Sequence, residues 1–207
     1  MAYEMKTING YDYYEAMSAF QKAIRRCDED EAVFWGIELY DSNYVGHLWN
    51  RILIIAHEDI GIAEKNFTAQ VIALKQAHDY LEKHRPKKVS KKLVMLQTFI
   101  ELARAKKSRY TDLAYSVYWA QHSNRAKTRI VPDYAFDMHT RRGKMLRRGL
   151  DHFYDEGALI NNRAEIDNER LFEQLARKFD IEAQEEERRA KQEAKPNKPE
   201  PPAGLFD

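Results

Sequence analysis

The sequence predicts an all-α protein. Of its 207 residues 43% are apolar, and only 8 are glycine and 6 proline. Apolar residues also recur with helical spacing through most of the N-terminal part. Few residues can break a helix, so long helices joined by few turns follow. A chain of this length can bury one main core with extensions.

Residues 11–26 form the first predicted helix, with Tyr13, Met17, Phe20 and Ile24 inward. Asp28 is placed to cap a second helix through Val33, Phe34, Ile37 and Leu39, and Glu29, Asp30 and Glu31 occupy the first turn, where the helix dipole favours acids. The third covers residues 44–58. Its stripe of Leu48, Ile52 and Ile55, flanked by Trp49, Leu53 and Ala56, marks it as central to the core. A fourth helix over 67–83 stops near His84-Arg85-Pro86, because proline disfavours helical geometry in the residue before it.

Ser90 is placed to cap a fifth helix, with Leu93, Leu96, Ile100 and Ala103 inward and Lys91, Lys92 and Arg104 outward. The sixth, over 111–121, carries Tyr115, Tyr118 and Trp119, read as core or interface anchors rather than a ligand cage. Between 123 and 162, Pro132, Gly143, Gly149 and Gly157 predict partly irregular chain. From Ile166 a last helix begins amphipathic through Leu171, Phe172, Leu175 and Phe179. Beyond Ala183 it lacks an apolar stripe, and the pairs Glu185/Arg189 and Glu187/Lys191 support it in water by about 0.3 kcal/mol each. Residues 195–207, KPNKPEPPAGLFD, form a proline-rich tail expected to be disordered. The expected division is thus a helical assembly domain (1–122), a basic arm (123–162), a charged helix (163–194) and the tail.

The net charge of +1 conceals segregation along the chain. Residues 28–41 hold six acids and no base, residues 83–109 ten bases against Glu101, and residues 125–148 eight bases against Asp133 and Asp137. Residues 151–193 are acidic. Such a pattern fits contact with an anionic polymer, complementary surfaces between subunits, or simply solvated helix faces. Cys27 is the sole cysteine, which excludes an intramolecular disulfide and a cysteine-built zinc site. The first residues do not read as a targeting signal, and no segment approaches the roughly 20 apolar residues of a membrane span. A soluble protein of a reducing cytoplasm is expected.

Motif searches for chemistry mostly eliminate. There is no G-x-x-x-x-G-K-[ST] loop and no G-x-S-x-G elbow. His57 and Glu58 begin H-E-x-x-H, but Gly61 stands where the second histidine belongs. Acids beside Cys27 oppose its activation. No catalytic residue, metal site or cofactor is assigned, and the chain is expected not to be an enzyme.

The stretch RILIIAHEDIGIA, residues 51–63, ends an apolar helix in three ionisable groups. The structural reading has His57 meeting orphan carbonyls, Gly61 stopping the helix with a left-handed turn, and Glu58 and Asp59 capping or pairing with a base. A metal-dependent hydrolase built on His57, Glu58 and Asp59, with His78 as a further base, is the rival reading.

Three stretches together resemble a known family. They are SAFQKAIRRCDEDEAVFWGIELY (18–40), RILIIAHEDIGIA, and ELARAKKSRYTDLAY (101–115). In that order they look like the C-terminal region of the replication-associated recombination protein A family, clamp-loader-like AAA+ ATPases also called MgsA, with a eukaryotic relative that binds the Werner helicase. Lys22, Ile24, Arg25, Asp28, Asp30, Ala32 and Trp35 follow its first motif, Glu58, Asp59, Ile60, Gly61 and Ala63 its second, and Lys107 and Ser108 its third. The resemblance covers roughly residues 18–157, loosely at its end. His57 stands where the family has a small residue, and Arg26-Cys27 replaces a small Gly-Ser turn. The family's ATPase and lid domains would precede this region, whereas here the chain starts about ten residues before the first matching helix, so the resemblance is to the assembly part. It implies a homo-oligomer, commonly a tetramer, and a full-length ATPase of the family as a possible partner.

The stretch MHTRRGKMLRRGLDHFYDEG has more arginines than the family's segment there. Arg141, Arg142, Lys144, Arg147 and Arg148 are therefore the candidate DNA-binding residues, with Gly143 and Gly149 allowing close backbone approach to phosphate and Phe153 and Tyr154 available to stack on a base. Contact with about four phosphates would give a log-log salt slope of roughly −3.6 on duplex DNA. The alternative is that this arm docks on the acidic 28–41 surface of a neighbouring subunit. Lys87, Lys88, Lys91 and Lys92 are a weaker basic candidate, and Leu205-Phe206 a weak docking peptide for a partner such as a sliding clamp. The expected function is a non-catalytic oligomerisation module in DNA replication, recombination or repair; a stand-alone protein binding single- or double-stranded DNA is the alternative.

Overall fold

The computed structural model describes residues 5–85, 89–123 and 129–193. The chain divides into two compact units, Met1–Lys127 and Thr128–Asp207. Lys87, Lys88 and the tail with Leu205 and Phe206 lie outside the described residues.

The first unit is a helical bundle. Helix α1 (Tyr13–Arg25) starts where Asp12 Oδ1 accepts the backbone N–H groups of Tyr14 and Glu15, at 2.8 and 3.0 Å. Its inward stripe is the expected one: Phe20 and Ile24 are fully buried and Met17 nearly so. Cys27, at φ +58°, turns the chain sharply into α2 (Glu29–Asp41), whose N-terminus Asp28 caps by accepting the N–H of Glu31. α2 buries Ala32, Gly36 and Leu39, but Phe34 and Ile37 are exposed, contrary to the stripe expected through them. Helix α3 (Val45–Ile55) carries Leu48, Ile52 and Ile55 at the centre of the core with Trp49 beside them. It stops earlier than expected, giving way to a π-turn over Ala56–Ile60 and a 3-10 turn over Gly61–Ala63.

Helix α4 (Phe67–His84) anchors itself with Phe67, Val71 and His78. Helix α5 (Ser90–Arg104) corrects two expectations. Ser90 lies inside the helix rather than at its cap, which is Val89 without a side-chain bond. Its core face is Met95, Thr98, Phe99 and Leu102, while Leu93 is 62% exposed and Leu96 and Ile100 line an open groove. α5 has apolar residues on two faces, and the seat offered by α2 selects one of them. Phe99 packs edge-on against Phe20 and so close to Gly36 that a Cβ there would sit 2.7 Å from the ring. Helix α6 (Tyr110–Ser123) has no buried residue; Tyr115 and Trp119 stack on each other but are 60% and 62% exposed. Its rings are not core anchors.

The charge segregation is largely resolved within this unit. Arg104 pairs with Glu29 through two bonds and Lys92 with Asp41 at 2.7 Å, both joining α5 to α2. Lys91 pairs with Glu82 and Arg109 with Asp112. Solvent screens such exposed pairs, so they set the match between the helices more than the stability.

The second unit is partly irregular, as its glycines and proline predicted. It comprises a 3-10 turn (Asp133–Ala135), α7 (Arg141–Met145), α8 (Leu150–His152), a π-turn (Phe153–Gly157) and α9 (Glu169–Glu193). α9 meets α8 and the π-turn through polar groups: Arg177 pairs with Asp151 and Asp155, and the Tyr154 hydroxyl donates to Asp180. Its apolar side, Leu171, Phe172 and Phe179, is exposed. The expected pairs Glu185–Arg189 and Glu187–Lys191 form at 3.9 and 2.5 Å. No helix of the described residues is long and apolar enough to cross a membrane.

Candidate functional site

The three family-like motifs converge on one residue. Asp59 is completely buried in the π-turn, and its Oδ1 accepts Arg25 Nε at 2.6 Å while Oδ2 accepts Gln21 Nε2 at 2.9 Å. The Arg25 guanidinium also donates to Glu58 at 2.8 Å. Arg51 donates to the Gln21 side-chain oxygen Oε1 at 3.0 Å, so α1, α3 and the turn after α3 share one network. The third motif joins through the backbone, where Ser108 N–H donates to the Asp59 carbonyl at 2.8 Å. A π-turn is the physical reason this works. Its wider winding points Glu58 and Asp59, neighbours in sequence, at the same guanidinium.

Each flanking motif residue has a structural task. Lys107 Nζ donates to the carbonyls of Leu102, Ala103 and Ala105 at 2.9, 3.0 and 2.5 Å, closing the C-terminus of α5. Burial pushes its ammonium below the ordinary lysine range, partly opposed by the neighbouring Cys27 thiol. Hydrogen bonding to Asp59 raises the already high pKa of Arg25, which stays charged. Gly61 adopts φ +51°, ψ −125°, which a residue with a Cβ rarely enters, and a Cβ there would meet Thr111 Oγ1 at 2.7 Å. Asp28 caps α2, Trp35 Nε1 donates to Glu31 at 2.8 Å, and Lys22 is exposed. His57 Nδ1 lies 2.7 Å from the Leu53 carbonyl.

The structural reading of the three ionisable groups is the one these contacts describe. His57 serves a helix-end carbonyl and Glu58 and Asp59 pair with Arg25. Among the described residues no three His, Cys, Asp or Glu side chains gather as a metal-ligating group. Sequence reasoning missed Gln21 and Arg51. Gln21 stands one turn before Arg25 on a helix face otherwise apolar, and that buried polar position was the available signal.

The basic segment of the second unit splits into two classes. Arg148 is engaged: its guanidinium donates to both Asp133 carboxylate oxygens at 2.7 and 2.6 Å and to the carbonyls of Asp133 and Phe136. This pairing holds the Asp133 carboxyl below its ordinary range. Arg142 lies over the Phe136 ring, 4.3 Å from its centroid. Arg141, Lys144 and Arg147 are exposed and have no ion-pair partner among the described residues. Gly143 does permit a close approach, but to this chain itself, since a Cβ would sit 1.7 Å from the Asp137 carbonyl oxygen. Phe153 packs edge-on against His139 and Tyr154, and Tyr154 is bonded to Asp180, so both rings have internal partners. Most of the acidic run 28–41 is likewise occupied: Asp28 caps, Glu29 and Asp41 pair with α5, Glu31 holds Trp35 and Glu38 accepts Asn9 at 3.1 Å, while Asp30 is exposed.

A family model described as MgsA AAA+ ATPase C terminal matches residues 26–197, a span that includes Glu58, Asp59 and the basic segment. The chain belongs to that family. Replication-associated recombination protein A of Bacillus subtilis (strain 168) is 29% identical over 153 residues, covering 72% of this chain. The chain spans 35% of that relative's length. The family's match extends past the stretch in which the sequence motifs were recognisable, through the whole of α9.

Proposed function

We propose that this chain is a non-catalytic helical module that assembles with copies of itself, and with full-length ATPases of its family, in replication-associated recombination. The observation that carries the reading is the uncovered apolar surface. α6 exposes Tyr110, Leu113, Tyr115, Tyr118 and Trp119, and a helix apolar on all sides is ordinarily enclosed by neighbours. The network at Asp59 supports the same reading, because its groups are spent on one another and hold the bundle rigid behind those surfaces. The family membership and the relative's name supply the process.

Light scattering or sedimentation across a wide concentration range tests it. An oligomer is expected, a tetramer by family resemblance; a monomer at every concentration refutes it. Mixing with a full-length family ATPase is expected to give particles of combined mass. A second reading is direct DNA contact through Arg141, Lys144 and Arg147, exposed cations of the basic segment that have no ion-pair partner among the described residues. With three phosphates neutralised, duplex affinity would follow a log-log salt slope of roughly −2.7. Unchanged affinity after charge reversal at these three positions refutes it.

A further inference from the structure

The groove beside α5 has a composition that its own helices do not satisfy. Its apolar floor is Leu93, Leu96 and Ile100 with Phe67 from α4, and it offers about 730 Å³. Two carboxylates, Glu64 and Glu101, line it. Glu101 accepts the amides of Gln70 and Gln97, and Glu64 accepts the Lys106 N–H. The donors to both carboxylates are neutral amide or backbone N–H groups, and Arg104, the cation that also lines the groove, is paired with Glu29 of α2.

The second unit carries a segment of the opposite character. Arg141, Lys144 and Arg147 have no ion-pair partner among the described residues, and Met145 and Leu146, beside Lys144 and Arg147, are 75% and 51% exposed. Arg147 sits at φ +56°, a turn that ends α7 and leaves this stretch as an exposed corner. An apolar pair framed by bases suits an apolar floor framed by acids. Phosphate backbone has no use for the two apolar side chains. In the acidic run 28–41, the other conceivable seat, Glu29 and Asp41 already pair with Arg104 and Lys92.

We propose that the Arg141–Arg147 corner of one copy docks into the Leu93/Leu96/Ile100 groove of a second copy, with Met145 and Leu146 on the floor and Lys144 facing Glu101. The inference rests on the assembly reading and names the surfaces that would make the contact.

The test compares Ile100→Asp, Glu101→Lys, Lys144→Glu and the double variant Glu101→Lys/Lys144→Glu by sedimentation, with circular dichroism to establish that each is folded. Ile100→Asp is expected to weaken association at least about tenfold, since it removes a buried aliphatic contact. Each single charge reversal is expected to weaken it about threefold, and the double variant to recover the wild-type constant. An oligomer that none of these substitutions weakens overturns the docking while leaving the assembly reading intact. A wild-type protein that never associates defeats the assembly reading itself. If Lys144→Glu abolishes duplex DNA binding and leaves assembly untouched, the corner is a nucleic-acid contact and the docking is overturned.

Discussion

Replacing Arg25 by methionine isolates what the joint at Asp59 contributes. Methionine keeps most of the aliphatic stem but removes the bonds to Asp59 at 2.6 Å and to Glu58 at 2.8 Å. Asp59 then keeps only the Gln21 amide while remaining fully enclosed. Removing one partner from a wholly buried ion pair costs about 3–5 kcal/mol, because the remaining charge is left unpaired. The Arg25 side chain is 30% exposed, which lets water reach the vacated position, so the expected loss is about 2–3 kcal/mol. Arg25→Met/Asp59→Leu should be less destabilised than Arg25→Met alone, since an apolar pair leaves no orphan charge. Urea unfolding followed by circular dichroism, at one fixed protein concentration, measures the difference. Lys75→Ala, which breaks an exposed pair with Asp79, serves as the control and should change stability by no more than about 0.5 kcal/mol. If Arg25→Met matches that control, Asp59 is not the group on which the bundle turns.

Three further perturbations have definite expected outcomes. Burial holds His78 below the ordinary imidazole pKa, with Asp79 opposing. As pH falls through about 6.5 the unfolded chain therefore protonates first, and stability present above that value declines towards the folded-state pKa; His78→Phe should flatten this slope in unfolding measured from pH 8 to 5. Gly61→Ala places a Cβ 2.7 Å from Thr111 Oγ1 in a backbone region that disfavours it, and a loss of about 2–3 kcal/mol should appear in thermal or urea unfolding. Gly143→Ala brings a Cβ to 1.7 Å from the Asp137 carbonyl oxygen, so α7 must lift; hydrogen exchange should quicken around residues 137–148 and stay unchanged in α1 and α3.

Where the sequence pattern was continuous, it translated directly into structure. α1 and α3 place their inward residues where a 3.6-residue period puts them, because each has a single apolar stripe and so one way to face a core. α5 had two stripes, Leu93/Leu96/Ile100 and Met95/Phe99/Leu102, and periodicity cannot rank two faces of one helix. Contact with Gly36 and Phe20 selected the second. The acidic and basic runs read equally as surfaces for other molecules or as solvated helix faces. Residues 75 positions apart, such as Glu29 and Arg104, cannot be recognised as partners until α2 and α5 pack. Among the basic residues of the arm the sequence made no distinction between Arg148, which Asp133 occupies, and Arg141, Lys144 and Arg147, which stand open.

By itself, then, the sequence determined the helical class, most helix positions and the family, since these follow from local spacing and from short ordered motifs. The convergence of those motifs was decided in three dimensions. A π-turn aims two adjacent carboxylates at a guanidinium from another helix, and a buried charge persists only where such a partner arrives. That arrival is a property of packing, which no single stretch of residues contains.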